Sequence, residues 1–87
     1  MKRSECLAEM KRLSGICCEH DLSYAIIFHE DMMTGEIHST HMLSSDEYEL
    51  NYWASRRCAD YRKLNVPFAA YIDGTLEDCN NKLVLED

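Results

Sequence analysis

His29, Asp31, Glu36 and His38 are the densest group of chemistry-bearing side chains in the sequence, and they flank one short polar connection. If the two flanking runs pair, His29 opposes His38, with Asp31 and Glu36 one pair nearer the turn. Neighbouring cross-strand positions on one face bring imidazoles and carboxylates within reach of a single ion. Two histidines and a carboxylate are ligands for zinc or another transition metal. The competing account is a solvated hairpin face, because metal sites draw their ligands from more than one element. Facing imidazoles also repel when protonated, which makes the pair a pH-sensitive feature near neutrality.

Cys17-Cys18-Glu19-His20 is a second cluster. Adjacent thiols are poorly placed to chelate one ion, so a zinc site here has to recruit Cys58 or Cys79. A cysteine–histidine nucleophile is a weaker reading, since nothing nearby supplies an oxyanion hole or an orienting group. The five cysteines are odd in number, include an adjacent pair and show no C-x-x-C spacing. They read as reduced thiols behaving as small hydrophobes, not as a disulfide framework.

A third pattern, Tyr48, Tyr52, Arg56, Ala59 and Lys63 with Arg62 beside it, recurs at helical spacing. Aromatic and basic groups so arranged can stack on bases and meet phosphates, or anchor a protein interface. The plainer account packs the tyrosines against the C-terminal segment 75–87. Met32 and Met33 sit in the polar connection itself, where adaptable thioethers serve either as a contact point or as local packing. His41 falls among apolar neighbours and is expected to be a buried, hydrogen-bonded histidine.

The elements that must position these groups follow from periodicity. Cys6, Met10, Leu13 and Cys17 form an amphipathic stripe, with Ser4 as a cap and Gly15 as a stop. That predicts a first helix over about 4–14, with continuation to His20 as the alternative. Leu22 to Leu43 reads as a β-hairpin around Asp31-Met32-Met33-Thr34-Gly35-Glu36. Pairing Asp31 with Glu36 makes paired residue numbers sum to 67, which puts Tyr24, Ile26, Phe28, Ile37 and Leu43 on the core face.

Ser44 with Glu47 reads as a capping box, and Leu43 with Tyr48 as a hydrophobic staple, for a second helix over about 45–64. Val66–Ile72 reads as a third strand, Asp73-Gly74 as a turn, 76–81 as a loop or helical turn, and 82–85 as a terminal strand. The expected architecture is a single α+β domain over 1–87, in the order α-β-β-α-β-β. It has a small antiparallel sheet with both helices packed on one face.

Charge narrows the function. The chain carries a formal net charge of −7, and residues 15–50 hold eight acidic groups without one Lys or Arg. Such a block sets up a negative field that opposes a nucleic-acid backbone and favours a basic protein surface. No apolar run approaches the ~20 residues of a membrane span, and the N-terminus lacks the apolar core of a signal peptide. A cytoplasmic protein is therefore expected.

No catalytic or cofactor motif is present, so the sequence points to a binding module that occupies another protein as adaptor or inhibitor. A sharper version mimics nucleic-acid charge and blocks a basic groove of a nuclease-like enzyme, as compact acidic proteins of phages and mobile elements do. The expected contact residues are His29, Asp31, Met32, Met33, Glu36, His38, Tyr52 and Arg56. The alternatives are a His/Cys metal protein, a nucleic-acid module using the second helix, and a homodimer built on a strand edge at 82–85.

Overall fold

A computed structural model describes residues 1–80, 83 and 85. Its elements are α1 (Arg3–His20), β1 (Ser23–Glu30), β2 (Ile37–Ser44), α2 (Glu47–Lys63), β3 (Phe68–Ile72) and β4 (Thr75–Cys79). The order is the expected one. The four strands form one antiparallel sheet in the order β2-β1-β3-β4.

β1 is central because it is apolar on both sides. Tyr24, Ala25, Ile26, Ile27 and Phe28 are all buried, so neither face of this strand can be left to water. Tyr24, Ile26 and Phe28 meet Cys6, Met10, Leu13 and Cys17 of α1, joined by Ile37, Ala69, Leu83 and Leu85. Ile27, on the opposite face, packs with Cys58 of α2 and with Phe68, Ala70, Trp53 and Tyr61. The two helices therefore cover opposite faces of the sheet, which corrects the expectation of a one-sided arrangement. The connection β2-α2-β3 passes over β1, so α2 has to lie across the face that α1 leaves open.

The β1–β2 register pairs Ser23 with Ser44 and runs unbroken to Glu30 with Ile37, the expected pairing. Its turn is closed by local bonds. Asp31 Oδ1 accepts from the Met33 and Thr34 amides at 2.8 and 3.3 Å. The Asp31 amide donates to the Glu36 carbonyl at 2.7 Å, and Gly35 takes φ 75°.

Helix α1 runs through Gly15 to His20, six residues past the stop at 14 and at the end given as the alternative. Asp21 takes the left-handed cap at φ 55°, and the Leu22 amide donates to the Cys17 carbonyl at 2.9 Å. Burying Cys17 in the stripe outweighs the interior glycine, whose cost is only about 1 kcal/mol. The start also shifts: Lys2 is the N-cap, its amide donating to Glu5 Oε1 at 3.1 Å, and Ser4 lies inside the helix.

At α2 the cap is Asp46 instead of Ser44. Asp46 Oδ1 accepts from the Tyr48 and Glu49 amides at 2.9 and 3.4 Å, while Ser44 Oγ accepts from the Asp46 amide. A carboxylate is the stronger acceptor at a helix N-terminus, so it takes the position and β2 runs on to Ser44. Tyr48 is consequently 87 % exposed and staples nothing. Leu50, Ala54 and Cys58 form the buried stripe, and Leu64 is exposed.

Asp73 and Gly74, at φ 51° and 85°, make a two-residue turn into β4, where a loop was expected over 76–81. The turn is fastened to β1, since the Asp73 amide donates to the Tyr24 carbonyl and Asp73 Oδ1 accepts from the Tyr24 amide. The strand expected over 82–85 lies in part outside the described residues. Leu83 and Leu85 are described; both are buried against the α1 face, and neither is in a strand.

Gly15 has nothing within 4 Å of the position a Cβ would take. Gly15→Ala is expected to stabilise the protein by about 0.5–1 kcal/mol, read as a rise in the urea midpoint at unchanged slope. A fall in the midpoint would contradict a continuous helix through residue 15.

Candidate functional site: the β2 side of the sheet

Strand parity decides which side chains share a surface. His29 and Asp31 of the first hairpin arm, and His38, Thr40 and Met42 of β2, project toward the side that α2 covers. His29, Asp31 and His38 and the expected helix residues Tyr52 and Arg56 therefore lie on one side of the sheet. They sit toward opposite ends of α2, whose C-terminal turns reach His29.

His29 is half-buried and is not a free member of the tip. The Tyr61 ring stacks on it, with centroids 5.0 Å apart and planes at 20°, and Tyr61 Oη lies 3.3 Å from His29 Nδ1. In the Nε2–H tautomer of the neutral imidazole, the hydroxyl donates to Nδ1. The His38 ring stands 5.7 Å away on the open side. Burial lowers the His29 pKa from its ordinary value, and the neighbouring His38 lowers it further, against an opposing pull from Asp31. Burial likewise raises the Tyr61 hydroxyl.

His38 is exposed, with Nε2 3.9 Å from Asp31 Oδ2 and 4.0 Å from Glu36 Oε2. These are long, solvated contacts of small energetic value. The Asp31 carboxyl is held below the usual carboxylate range by the Met33 and Thr34 amides it accepts. Among the described residues, no three His, Cys, Asp or Glu side chains are placed to hold a metal ion. Met32 and Met33, at the turn, are 63 % and 95 % exposed.

The second cysteine-rich candidate is divided by the sheet. Cys17 is buried on the α1 face and Cys58 on the α2 face, so the two cannot share an ion, while Cys79 is partly buried beside the same α1-side cluster as Cys17. Cys18 and His20 are exposed. Burial pushes the Cys58 thiol up to about 11, with Asp78 adding to the shift, which suits a structural thiol and not a nucleophile. His41, expected inside, is exposed, because β2 is an edge strand and its outer half is only partly covered.

Tyr52 and Arg56 do form a unit on α2. Arg56 Nη1 donates to Tyr52 Oη at 3.0 Å, and its guanidinium carbon lies 5.7 Å from the ring centroid. Both line a groove of about 380 Å³ between α2 and β2, whose other walls are Met42, Glu49, Trp53, Arg57 and Asp60. Met42, Trp53 and Arg57 were not anticipated as a site. The available signal was the run Ala25-Ile26-Ile27-Phe28: a strand apolar at every position needs cover on both faces, which places α2 beside β2.

The chain matches no family model, no curated protein and no solved structure. Function is therefore argued from surface geometry. Among the described residues, no helix is long and apolar enough to cross a membrane.

The groove opens at a strand edge that has no further strand beside it among the described residues. Because the Asp31 amide bonds the Glu36 carbonyl, the even-numbered residues of β2 are those that exchange backbone bonds with β1. The Glu30–Pro67 and Asp73–Tyr24 bonds show the complementary set of β1 turned to β3. Ile37, Ser39, His41 and Leu43 thus direct their N–H and C=O groups outward, away from β1.

The half-buried His29 gives stability a defined pH dependence. Its pKa is lowered in the fold, so its contribution is fully present above the ordinary value of 6.5 and is lost as pH falls from there through the folded value. Urea midpoints measured across this interval are expected to fall with pH in the wild type and to fall less steeply in His29→Phe. An identical slope in the variant would contradict the half-buried, neutral assignment.

Proposed function

We propose that the protein is a binding module that acts by occupying another protein, meeting a basic surface with the β2 side of its sheet. The observation that carries this reading is the hairpin tip. Its turn is held by backbone and side-chain bonds, yet it presents Met32 and Met33 to solvent. Apolar side chains held out on an ordered turn are poorly explained by folding alone and well explained by contact with a partner.

Charge supports the choice of partner. Asp31 and Glu36 bracket the methionines, and the tip lies within the 36 residues, 15–50, that contain no Lys or Arg. A partner with a cationic rim around a small apolar patch complements that pattern, and the negative field would speed the encounter. Blocking the basic groove of a nucleic-acid enzyme is one form of this contact. Tyr52 and Arg56, already folded together, supply a pre-ordered aromatic edge of the residue types that dominate interface energetics.

The test uses the whole protein, immobilised, to capture partners from its native host at low and at high salt. Met32→Ser/Met33→Ser is expected to leave stability within about 0.5 kcal/mol, since both side chains are solvent-exposed. The same variant should lose partner capture by about fivefold or more, and raising the salt should weaken wild-type capture. Capture that is indifferent to both the methionines and the salt would overturn the reading.

A further inference from the structure

We propose that the outer edge of β2 takes up an extended, lysine- or arginine-bearing polypeptide segment as a fifth strand. The alternate side chains of that segment would enter the groove between β2 and α2. This rests on the proposed role as a module for a basic partner and specifies where and how the partner docks.

Three observations converge on this edge. The first is its regularity. β2 pairs with β1 over eight consecutive residues with no bulge, and the strand contains no Pro, Lys or Arg. Edge strands of monomeric proteins are ordinarily blunted by such devices, because an unprotected row of N–H and C=O groups recruits another strand. The opposite edge differs: β4 is five residues long, and its pairing slips at Ala70/Tyr71. Among the described residues, nothing is hydrogen-bonded to the outward backbone groups of Ile37, Ser39, His41 and Leu43.

The second is the groove beside that edge. A strand laid against β2 has every other side chain pointing to the α2 side, where Met42 and Trp53 offer apolar walls. Strand addition gains affinity from main-chain bonds and selectivity from pockets that take alternate side chains, and this edge supplies both.

The third is charge. Glu36 stands at one end of the edge, and Glu49 and Asp60 stand on the groove wall. The two cations in the groove lining, Arg56 and Arg57, lie over the Tyr52 and Trp53 rings of their own helix. Within the groove these arginines offset Glu49 and Asp60, so the preference comes from the edge itself: β2 and the turn before it lie wholly inside the cation-free block 15–50, where cationic side chains on the added strand would meet a negative field and acidic ones like charge.

Trp53 is the sole tryptophan and lines the groove, so its emission reports occupancy directly. The probes are two blocked peptides matching the eight-residue length of β2, one alternating lysine with valine and one alternating glutamate with valine. The lysine peptide is expected to shift Trp53 emission saturably, with the glutamate peptide about tenfold weaker or worse.

Ser39→Pro removes one outward amide, a substitution that edge strands tolerate, and should weaken the lysine peptide about fivefold or more. His41→Pro removes the next outward amide and serves if Ser39→Pro fails to fold by circular dichroism. No shift with the lysine peptide, or equal binding by wild type and the folded proline variant, would overturn strand addition. Partner capture through the methionine tip would then stand unaffected. Emission that changes with protein concentration alone, together with a doubled mass by light scattering, would assign the edge to a second copy and overturn the proposal as well.

Discussion

Everything in this fold follows from one strand that cannot tolerate water on either side. Ala25, Ile26, Ile27 and Phe28 are each wholly buried, and no single layer of helices can achieve that. β1 must be flanked by β2 and β3 in the sheet and roofed by α1 on one face and α2 on the other. An 87-residue chain has little surface to spare, so this two-sided cover uses both helices completely. Among the described residues, the strands at the margins, β2 and β4, have one neighbour each. The exposed edge of β2 is thus a direct consequence of where the apolar residues of β1 fall.

Function in such a molecule has to be found at its margins. The interior is occupied by Tyr24, Phe28, Phe68 and their neighbours, and the groove of about 380 Å³ lies at the rim between α2 and β2. The Tyr52–Arg56 pair stands along the helix wall of that groove, and the exposed methionines lie in the turn that leads into β2. His29 marks the boundary between interior and rim. One side of its ring is stacked on Tyr61 and the other faces His38, so its protonation couples the packing of α2 to the state of the hairpin face.

What could be read from the residues alone depended on whether local or tertiary forces decide each feature. The hairpin register was legible because alternation along Tyr24–Phe28 and the Asp31–Gly35 turn chemistry select the same pairing. The capping region of α2 was legible in kind but displaced by two residues, since Asp46 takes the Tyr48 and Glu49 amides while Ser44 takes only the amide of Asp46. The length of α1 was ambiguous because Gly15 signals an end locally while Cys17 pays only when buried. β4 was invisible: Thr75-Leu76-Glu77-Asp78 has no apolar alternation, and the strand exists through its turn and the backbone bonds of β3. The placement of α2 was missed although the signal was present, as Ala25 and Ile27 are as apolar as the neighbours assigned to the core.

The tip and helix residues singled out for chemistry fared in a similar way. Asp31, Met32, Met33 and Glu36 lie at an exposed turn, as turn chemistry requires, and Tyr52 with Arg56 is exposed as helical spacing requires. His29 was drawn inward by Tyr61, a residue more than thirty positions away that no local pattern connects to it. Cys58 is kept from Cys17 by the sheet for the same reason, since no local pattern reports which face an element covers.

Amide hydrogen exchange of the free protein tests the two-sided sheet and its open margin in one measurement. The amides of His38, Thr40 and Met42 should be protected by their bonds to β1, while those of Ser39, His41 and Leu43 should exchange orders of magnitude faster, giving alternation along β2. Uniform protection along the strand, or protection of the odd-numbered residues alone, would contradict a sheet built around β1 with β2 as its free edge.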